Sequence, residues 1–321
     1  MQHHPALRAE TPVDLRLDVP VEHRWIDVGG VTLHVALAGP ERGRPVILLH
    51  GFPEAWFGWA HQIGPLAHAG YRVIVPDQRG YNLSEKPAGL DAYRIDRLSG
   101  DIAGLARALG LGRWAVAGHD WGAAVAWQLA WERPAGLIGV GILNVPEPHV
   151  FQTLVRRPRQ ALRSWYMGAF QVPVLPERWL ALGDGEALAR GLVSSSRPGT
   201  FPPDVLAWYR RAWRRPGALS GMLAWYRAAL QRPVAPPSAD RIELPVTILW
   251  GEQDRFLGTE LVEPSAARCR QARVVRFPLA THWVQHEEPE GVHAALLEHL
   301  RALDWTPATG GGRTAASGRP A

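Results

Sequence analysis

The expected fold class for this 321-residue chain is α/β: a mostly parallel central sheet, helices on both faces, and an inserted helical cap. Three observations predict it. Short apolar runs alternate with amphipathic stretches in the first half of the chain and again in its last quarter. The alternation stops between residues 147 and 236, where Trp, Arg, Leu and Pro are frequent and no strand rhythm is seen. Finally, Gly118-His119-Asp120-Trp121-Gly122 follows a short apolar run and opens a helix-compatible one, giving strand, tight turn and helix with glycine at both ends.

Taken in order, residues 1–20 are mixed and proline-containing and read as a loosely held arm. Strands are expected at Arg24–Val28 and Val31–Ala38, joined by a Gly29-Gly30 hairpin turn. Val46–His50 and Arg72–Val75 are the next strands, with a helix near Trp59–Ala69 between them. A helix over Ile95–Leu109 leads to the strand Trp114–Ala117, the Asp120 turn and a helix over Ala123–Trp131. The strand Ile138–Asn144 ends the first half of a core spanning 21–146. Residues 147–236 read as several short helices closed by a proline-rich linker, Pro233 to Pro237. The core resumes over 237–305 with strands Val246–Trp250 and Arg273–Phe277 and helices near Leu261–Cys269 and Pro289–Leu303. Residues 306–321 have little apolar content and read as a disordered tail. Helices inserted after a strand of an open α/β sheet lie over the strands' carboxyl ends, where such sheets bind ligands.

Composition narrows the functional classes. The net charge is +5, yet the 35 basic residues include one lysine, Lys86, and the arginines are scattered, so a solvated surface is expected rather than nucleic-acid binding. The densest groups are Arg156/Arg157 and Arg210/Arg211 with Arg214/Arg215, which read as helix faces. The single cysteine, Cys269, excludes an intramolecular disulfide, and no Cys/His cluster has metal-ligand spacing. Residues 1–20 hold no apolar core of signal-peptide length, and no run is long enough to span a bilayer. A soluble cytoplasmic protein with no metal or organic cofactor and no membrane insertion is the expectation; the oligomeric state is not legible.

The chemistry centres on Asp120. An elbow of this kind usually carries serine, which must lose a proton as it attacks. A carboxylate is already ionised at neutral pH and attacks as it stands, best at a saturated carbon with a strained or good leaving group. The product is an ester of the enzyme, so water must be activated to cleave it. Asp254, in a loop after a strand, and His282, just after the last strand, supply an acid and a base in the chain order nucleophile, acid, histidine. His282 is one of thirteen histidines; its position gives it weight. His286, Glu287 and Glu288 fall where the last helix should begin and are set aside, and His119 is expected to point away and hold the elbow. The glycine turn in His50-Gly51-Phe52-Pro53 can aim the Phe52 N–H at the site, with the Trp121 N–H as second oxyanion donor.

His50-Gly51-Phe52-Pro53-Glu54, Asp77-Gln78-Arg79-Gly80-Tyr81 and Gly118-His119-Asp120-Trp121-Gly122 together resemble the epoxide hydrolase and haloalkane dehalogenase branch of the α/β-hydrolase fold, over residues 22–303. Within that branch, epoxide hydrolases carry two cap tyrosines that donate to the epoxide oxygen. The resemblance places these at Tyr166, in Tyr-x-x-x-Phe-Gln-x-Pro, and Tyr226, in Trp-Tyr-Arg. Tyr209, in a second Trp-Tyr-Arg, competes for the latter role but lies further from the cap exit. Near Glu147 this sequence departs from the branch, which has a histidine there; the nearest here is His149.

The resemblance therefore implies an epoxide hydrolase. Asp120, Asp254, His282, Tyr166 and Tyr226 would be catalytic, and the same tyrosines with Phe52 and Trp121 would contact an apolar epoxide, with water as co-substrate. The alternatives are a haloalkane or haloacid dehalogenase and a non-catalytic ligand-binding member of the fold. The fifteen tryptophans favour an apolar or aromatic substrate.

Overall fold

The structure, a computed structural model, describes residues 12–233 and 239–306. Most of the expected arm (residues 1–11), nearly all of the exit linker and all but the first residue of the expected tail lie outside the described residues.

Eight strands form one sheet: β1 (Val21–Asp27), β2 (Thr32–Ala38), β3 (Arg44–Leu49), β4 (Tyr71–Pro76), β5 (Trp114–His119), β6 (Leu137–Leu143), β7 (Val246–Gly251) and β8 (Ala272–Phe277). Their spatial order is β1-β2-β4-β3-β5-β6-β7-β8. β2 pairs antiparallel with β1 and β4, and all other neighbours are parallel. The Gly29-Gly30 turn closes the first hairpin with both glycines at positive φ, a conformation costly for any other residue. Val46, Ile47, Leu48 and Leu49 of β3 are buried without alternation, as expected for a strand covered on both faces.

Helices α1 (Ala60–His68), α2 (Ile95–Ala108) and α3 (Trp121–Glu132) connect the strands. α3 packs against β5, β6 and β3, and Ala123, Val125, Trp127 and Leu129 are fully buried along it. This explains an apolar sequence with little amphipathic periodicity. After β6 the chain leaves the sheet and forms seven helices: α4 (Pro148–Leu154), α5 (Pro158–Arg163), α6 (Trp165–Ala169), α7 (Leu175–Ala181), α8 (Glu186–Ser195), α9 (Pro203–Trp213) and α10 (Ala218–Gln231). The sheet side then resumes with α11 (Val262–Ala266), α12 (Val284–Glu287) and α13 (Pro289–Ala302).

One helix differs from its expected length. The helix near Leu261–Cys269 is cut to Val262–Ala266, after a 3-10 turn at Thr259–Leu261. The cause is tertiary. The backbone of Arg268–Arg270 is taken by Ile242, which donates to Arg268 and accepts from Arg270, and a helix cannot continue through that pairing.

The order β4-β3-β5 positions the site. From β3 the chain moves outward to β4 and then crosses back to β5 on the other side, so the loops leaving β3 and β5 diverge at one crevice. Such a switch point, at the carboxyl ends of parallel strands, is where open α/β sheets hold ligands. Hydrogen bonds from the seven-helix block to the loops after β3 and β4 hold it beside this crevice, among them three from buried aromatic side chains. Tyr209 donates to Glu54, Trp213 to the Pro53 carbonyl and Trp225 to the Arg79 carbonyl.

Candidate active site

Asp120 sits between β5 and α3 with φ 49° and ψ −124°. A non-glycine residue there carries strain of about 1–3 kcal/mol that the surroundings must sustain. Glycines make the turn possible. A Cβ on Gly118 would lie 2.2 Å from the Gly122 carbonyl oxygen, and one on Gly122 would lie 2.2 Å from the Leu49 carbonyl oxygen. A Cβ on Gly51 would strike the Asp120 side chain itself. The loops after β3 and β5 thus meet at van der Waals contact through three missing side chains.

The Phe52 N–H donates to Asp120 Oδ1 at 2.7 Å. The histidine heading that loop is a structural clamp. His50 Nδ1 donates to the Gly51 carbonyl and Nε2 accepts from the Gln78 N–H. Asp120 Oδ2 lies 3.4 Å from His282 Nε2. On the far side of the ring, His282 Nδ1 donates to Asp254 Oδ2 at 2.7 Å. Asp254 is fixed in turn: Oδ1 accepts from the Phe256 and Leu257 N–H groups, and Oδ2 from Asn144 Nδ2. The Trp121 N–H opens α3 and is not bonded to either oxygen of Asp120.

Above this constellation lies a cavity of about 540 Å³ lined by Asp120, His282, Phe52, Tyr166, Tyr226 and Phe256, among others. A second cavity of about 550 Å³ also reaches Asp120, Tyr166 and Tyr226, and continues past Trp121. The two tyrosine rings stand 6.0 Å apart, edge to face. α10 delivers Tyr226 because Gly221 packs directly on Gly80, where a Cβ would be 2.6 Å from the Gly80 carbonyl oxygen. Arg227 then ties α10 to the turn beyond α6, donating to the Phe170 and Val172 carbonyls and pairing with Glu177. Tyr209 is elsewhere, with its hydroxyl given to Glu54.

Residues 44–289 match the family described as alpha/beta hydrolase fold. The chain is 44% identical over 283 residues to the AB hydrolase superfamily protein YfhM of Bacillus subtilis, covering 88% of this chain and 98% of that one. It is 33% identical to epoxide hydrolase 4 of Mus musculus, over 92% of this chain and 84% of the relative. Among solved structures it is similar to the inhibitor complex of an epoxide hydrolase from Bacillus megaterium. There the TM-score is 0.79 and the identity 31%, over 87% of this chain and 100% of that one.

This chain belongs to the α/β-hydrolase family.

The electrostatics of the hydrolase site follow from burial opposed by pairing. Burial raises the Asp120 carboxyl, but the His282 hydrogen bond and charge, His119 and the Phe52 N–H outweigh it and hold the group below the ordinary carboxylate range. Burial lowers His282, yet the Asp254 charge and the hydrogen bonds to Asp120 and Asp254 overcome it and raise the ring to about 10. The Tyr166 and Tyr226 phenols are pushed up first by burial and then by the Asp120 charge, so both stay protonated at neutral pH. Among the described residues no group of three or more His, Cys, Asp or Glu side chains is placed to hold a metal ion.

The hydrolase also contains buried groups outside this constellation, of which sequence reasoning passed over Glu54 and set Glu287 aside. Glu54 accepts from Tyr209 at 2.7 Å, His286 at 2.7 Å, Gln285 at 3.1 Å and His119 at 3.2 Å. His119 bonds on its other nitrogen to the His282 carbonyl at 2.8 Å, so it lies behind the elbow. Glu287 takes the Thr281 N–H and hydroxyl and the Arg197 N–H, and so fixes the turn before His282 to the inserted helices. The departure at Glu147 also has a physical account. Its buried carboxylate caps α4 through the His149 and Val150 N–H groups and accepts from Trp131 Nε1, with His149 Nδ1 2.6 Å away.

Proposed function

We propose that this hydrolase opens epoxides to vicinal diols in two steps, with residues 147–236 acting as a cap that excludes water from the first. Asp120 Oδ2, the oxygen not held by Phe52, attacks an epoxide carbon. The C–O bond breaks, and the developing alkoxide takes hydrogen bonds and then a proton from Tyr166 and Tyr226. A 2-hydroxyalkyl ester of Asp120 results, with Oδ1 as its carbonyl oxygen. The resting His282 first gives its proton to the tyrosine pair, and the neutral ring then removes a proton from water, which attacks the ester carbon. The oxyanion forms on Oδ1, already at the Phe52 N–H and near the amino end of α3, where the Trp121 N–H is a second donor. Collapse releases the diol and restores the carboxylate, and His282 keeps the proton it took from water.

The pair of phenols lining the Asp120 cavity carries this reading. A strained C–O bond needs a proton donor at neutral pH, and a carbon–halogen bond does not. The similarity to epoxide hydrolase 4 of Mus musculus and to the Bacillus megaterium epoxide hydrolase supports the same reading. The charge balance fits the sequence of steps. His282 is held protonated partly by the Asp120 charge, and esterification removes that charge, so the ring becomes a competent base only once there is an ester to hydrolyse. The apolar lining suits an apolar epoxide.

The test is His282→Gln. This variant should open the ring and stall, so the intact-protein mass should rise by one substrate mass on addition of an epoxide that the wild type converts to diol. A converted epoxide that leaves no adduct would sink the two-step scheme.

A further inference from the structure

The mouth of the Asp120 cavity exposes apolar surface that its own fold does not cover. Of the ten large hydrophobic side chains most exposed among the described residues, eight fall between Leu162 and Val193. Leu162 is 76% exposed, Trp165 69%, Leu182 66% and Trp179 56%. Single exposed apolar residues are ordinary, but a cluster of this kind marks an interaction face. Five of these eight residues share one place. Trp165, Val172, Leu175 and Trp179 line the cavity that holds Asp120, and Leu162 and Trp165 line a recess beside it.

The charge around this mouth has one sign. Arg163 and Arg255 line the same recess as Leu162 and Trp165. Arg159 is one helical turn before Arg163 on α5, and Arg178 adjoins Trp179 on α7. Residues 150–182 contain five arginines and one carboxylate, Glu177, which Arg227 has taken. None of Arg156, Arg157, Arg159, Arg163 and Arg178 has an ion pair among the described residues. The arginines on α9 differ: Arg210 pairs with Glu186 and Arg214 with Asp184.

We propose that this face docks on the surface of an anionic lipid bilayer, placing the cavity mouth against the lipid. Short helices bearing exposed Leu and Trp beside unpaired Arg suit the headgroup–acyl boundary, where indoles concentrate and basic residues meet anionic lipid. Docking of this kind needs no spanning segment, and no helix among the described residues is long and apolar enough to be one. The proposal rests on the reading of the Asp120 site for its purpose, the uptake of apolar epoxide directly from the membrane. The binding itself requires no turnover.

Flotation of the full chain with large unilamellar vesicles tests it, comparing phosphatidylcholine alone with phosphatidylcholine containing phosphatidylglycerol. The chain should float with the anionic vesicles, less so at raised salt. Arg159→Gln with Arg178→Gln should weaken binding on the order of 25-fold, about fivefold for each charge removed near the surface. Leu162→Gln with Leu182→Gln should weaken binding to the anionic vesicles while leaving diol formation from a water-soluble epoxide unchanged. Equal flotation with both vesicle types, or none with either, would overturn the proposal. So would a concentration-dependent dimer in sedimentation velocity that Leu162→Gln abolishes, because the face would then belong to a second copy of the chain. Loss of epoxide turnover with flotation intact would count against the assigned chemistry and not against the docking face.

Discussion

Two buried clusters of carboxylate and imidazole lie back to back across the Asp120 elbow, and they differ in one respect that matters. In one, Asp120 and His282 stand at a cavity wall with Asp254 behind the ring, and Asp120 Oδ2 faces His282 at 3.4 Å. In the other, Glu54 is enclosed by Tyr209, His286, Gln285 and His119 and borders neither cavity that reaches Asp120. Both hold their carboxylates below the ordinary range, Glu54 because His286 and His119 outweigh a large burial penalty. A perturbed acid beside a histidine therefore does not identify a reacting group by itself. What separates the clusters is an acid held at a strained turn with one oxygen free to reach a ligand. The closed cluster supports the open one, since His119 bonds the carbonyl of His282.

The comparison can be broken most directly by removing each carboxylate. Asp120→Ala should abolish diol formation, by roughly 10⁴-fold or more, while the fold is retained. Glu54→Gln should do the reverse. It strands buried histidines and a phenol, so it should cost stability on the scale of a broken buried pair, about 3–5 kcal/mol, and change the turnover of the folded fraction far less. Urea unfolding and product formation from an aryl epoxide, measured on both variants, decide this. A stable Glu54→Gln with turnover as low as Asp120→Ala would erase the distinction between the clusters.

The three tyrosines of the inserted helices offer a finer version of the same contrast. Tyr166→Phe and Tyr226→Phe each remove a donor from the cavity, and each should slow ring opening by roughly 10²–10³-fold, with the pair slower still. Tyr209→Phe removes a hydrogen bond to a buried charge and should cost roughly 1.5–3 kcal/mol of stability with little change in rate. Halide release from a haloalkane, left intact in the Tyr166→Phe/Tyr226→Phe double variant, would move the assignment from epoxides to halides.

How much of this was legible in the sequence depends on how local each feature is. The elbow, the Gly51 turn and the eight strands are written in consecutive residues, because glycines at steric contacts and unbroken apolar runs have few other uses. The positions of Asp254 and His282 could be read from chain order, since each follows a strand whose place in the sheet is set by the α/β rhythm. Of the Glu54 cluster only the place of His119 behind the elbow was legible. Its members are separated by as many as 232 positions, and the others each read as a loop or helix residue. Asn144, which holds Asp254 by side chain and Gly251 by backbone, was missed for the same reason. The early end of α11 depends on a pairing with Ile242 that no local pattern announces. Arg156 and Arg157 read as a helix face but sit in the turn between α4 and α5, and sequence does not show which arginines of residues 150–182 find a carboxylate.

The smallest expected effect separates the clusters by pH. Glu54 and Asp120 are both depressed below their ordinary values of 4.5 and 3.8. Each therefore contributes stability that is present above those values and lost as pH falls through the folded one. Acid should weaken both clusters. His282 is raised from 6.5 to about 10, so its contribution is complete below 6.5 and is lost as pH rises through about 10. Base should weaken the open cluster. Wild type and Glu54→Gln should both lose a few degrees of Tm between neutral pH and pH above 10, and His282→Gln should lose less. Asp120→Ala should fall between them, because the Asp254 charge still raises the ring when the Asp120 hydrogen bond is gone. An alkaline decline in His282→Gln as steep as the wild type would mean that the resting proton is held elsewhere.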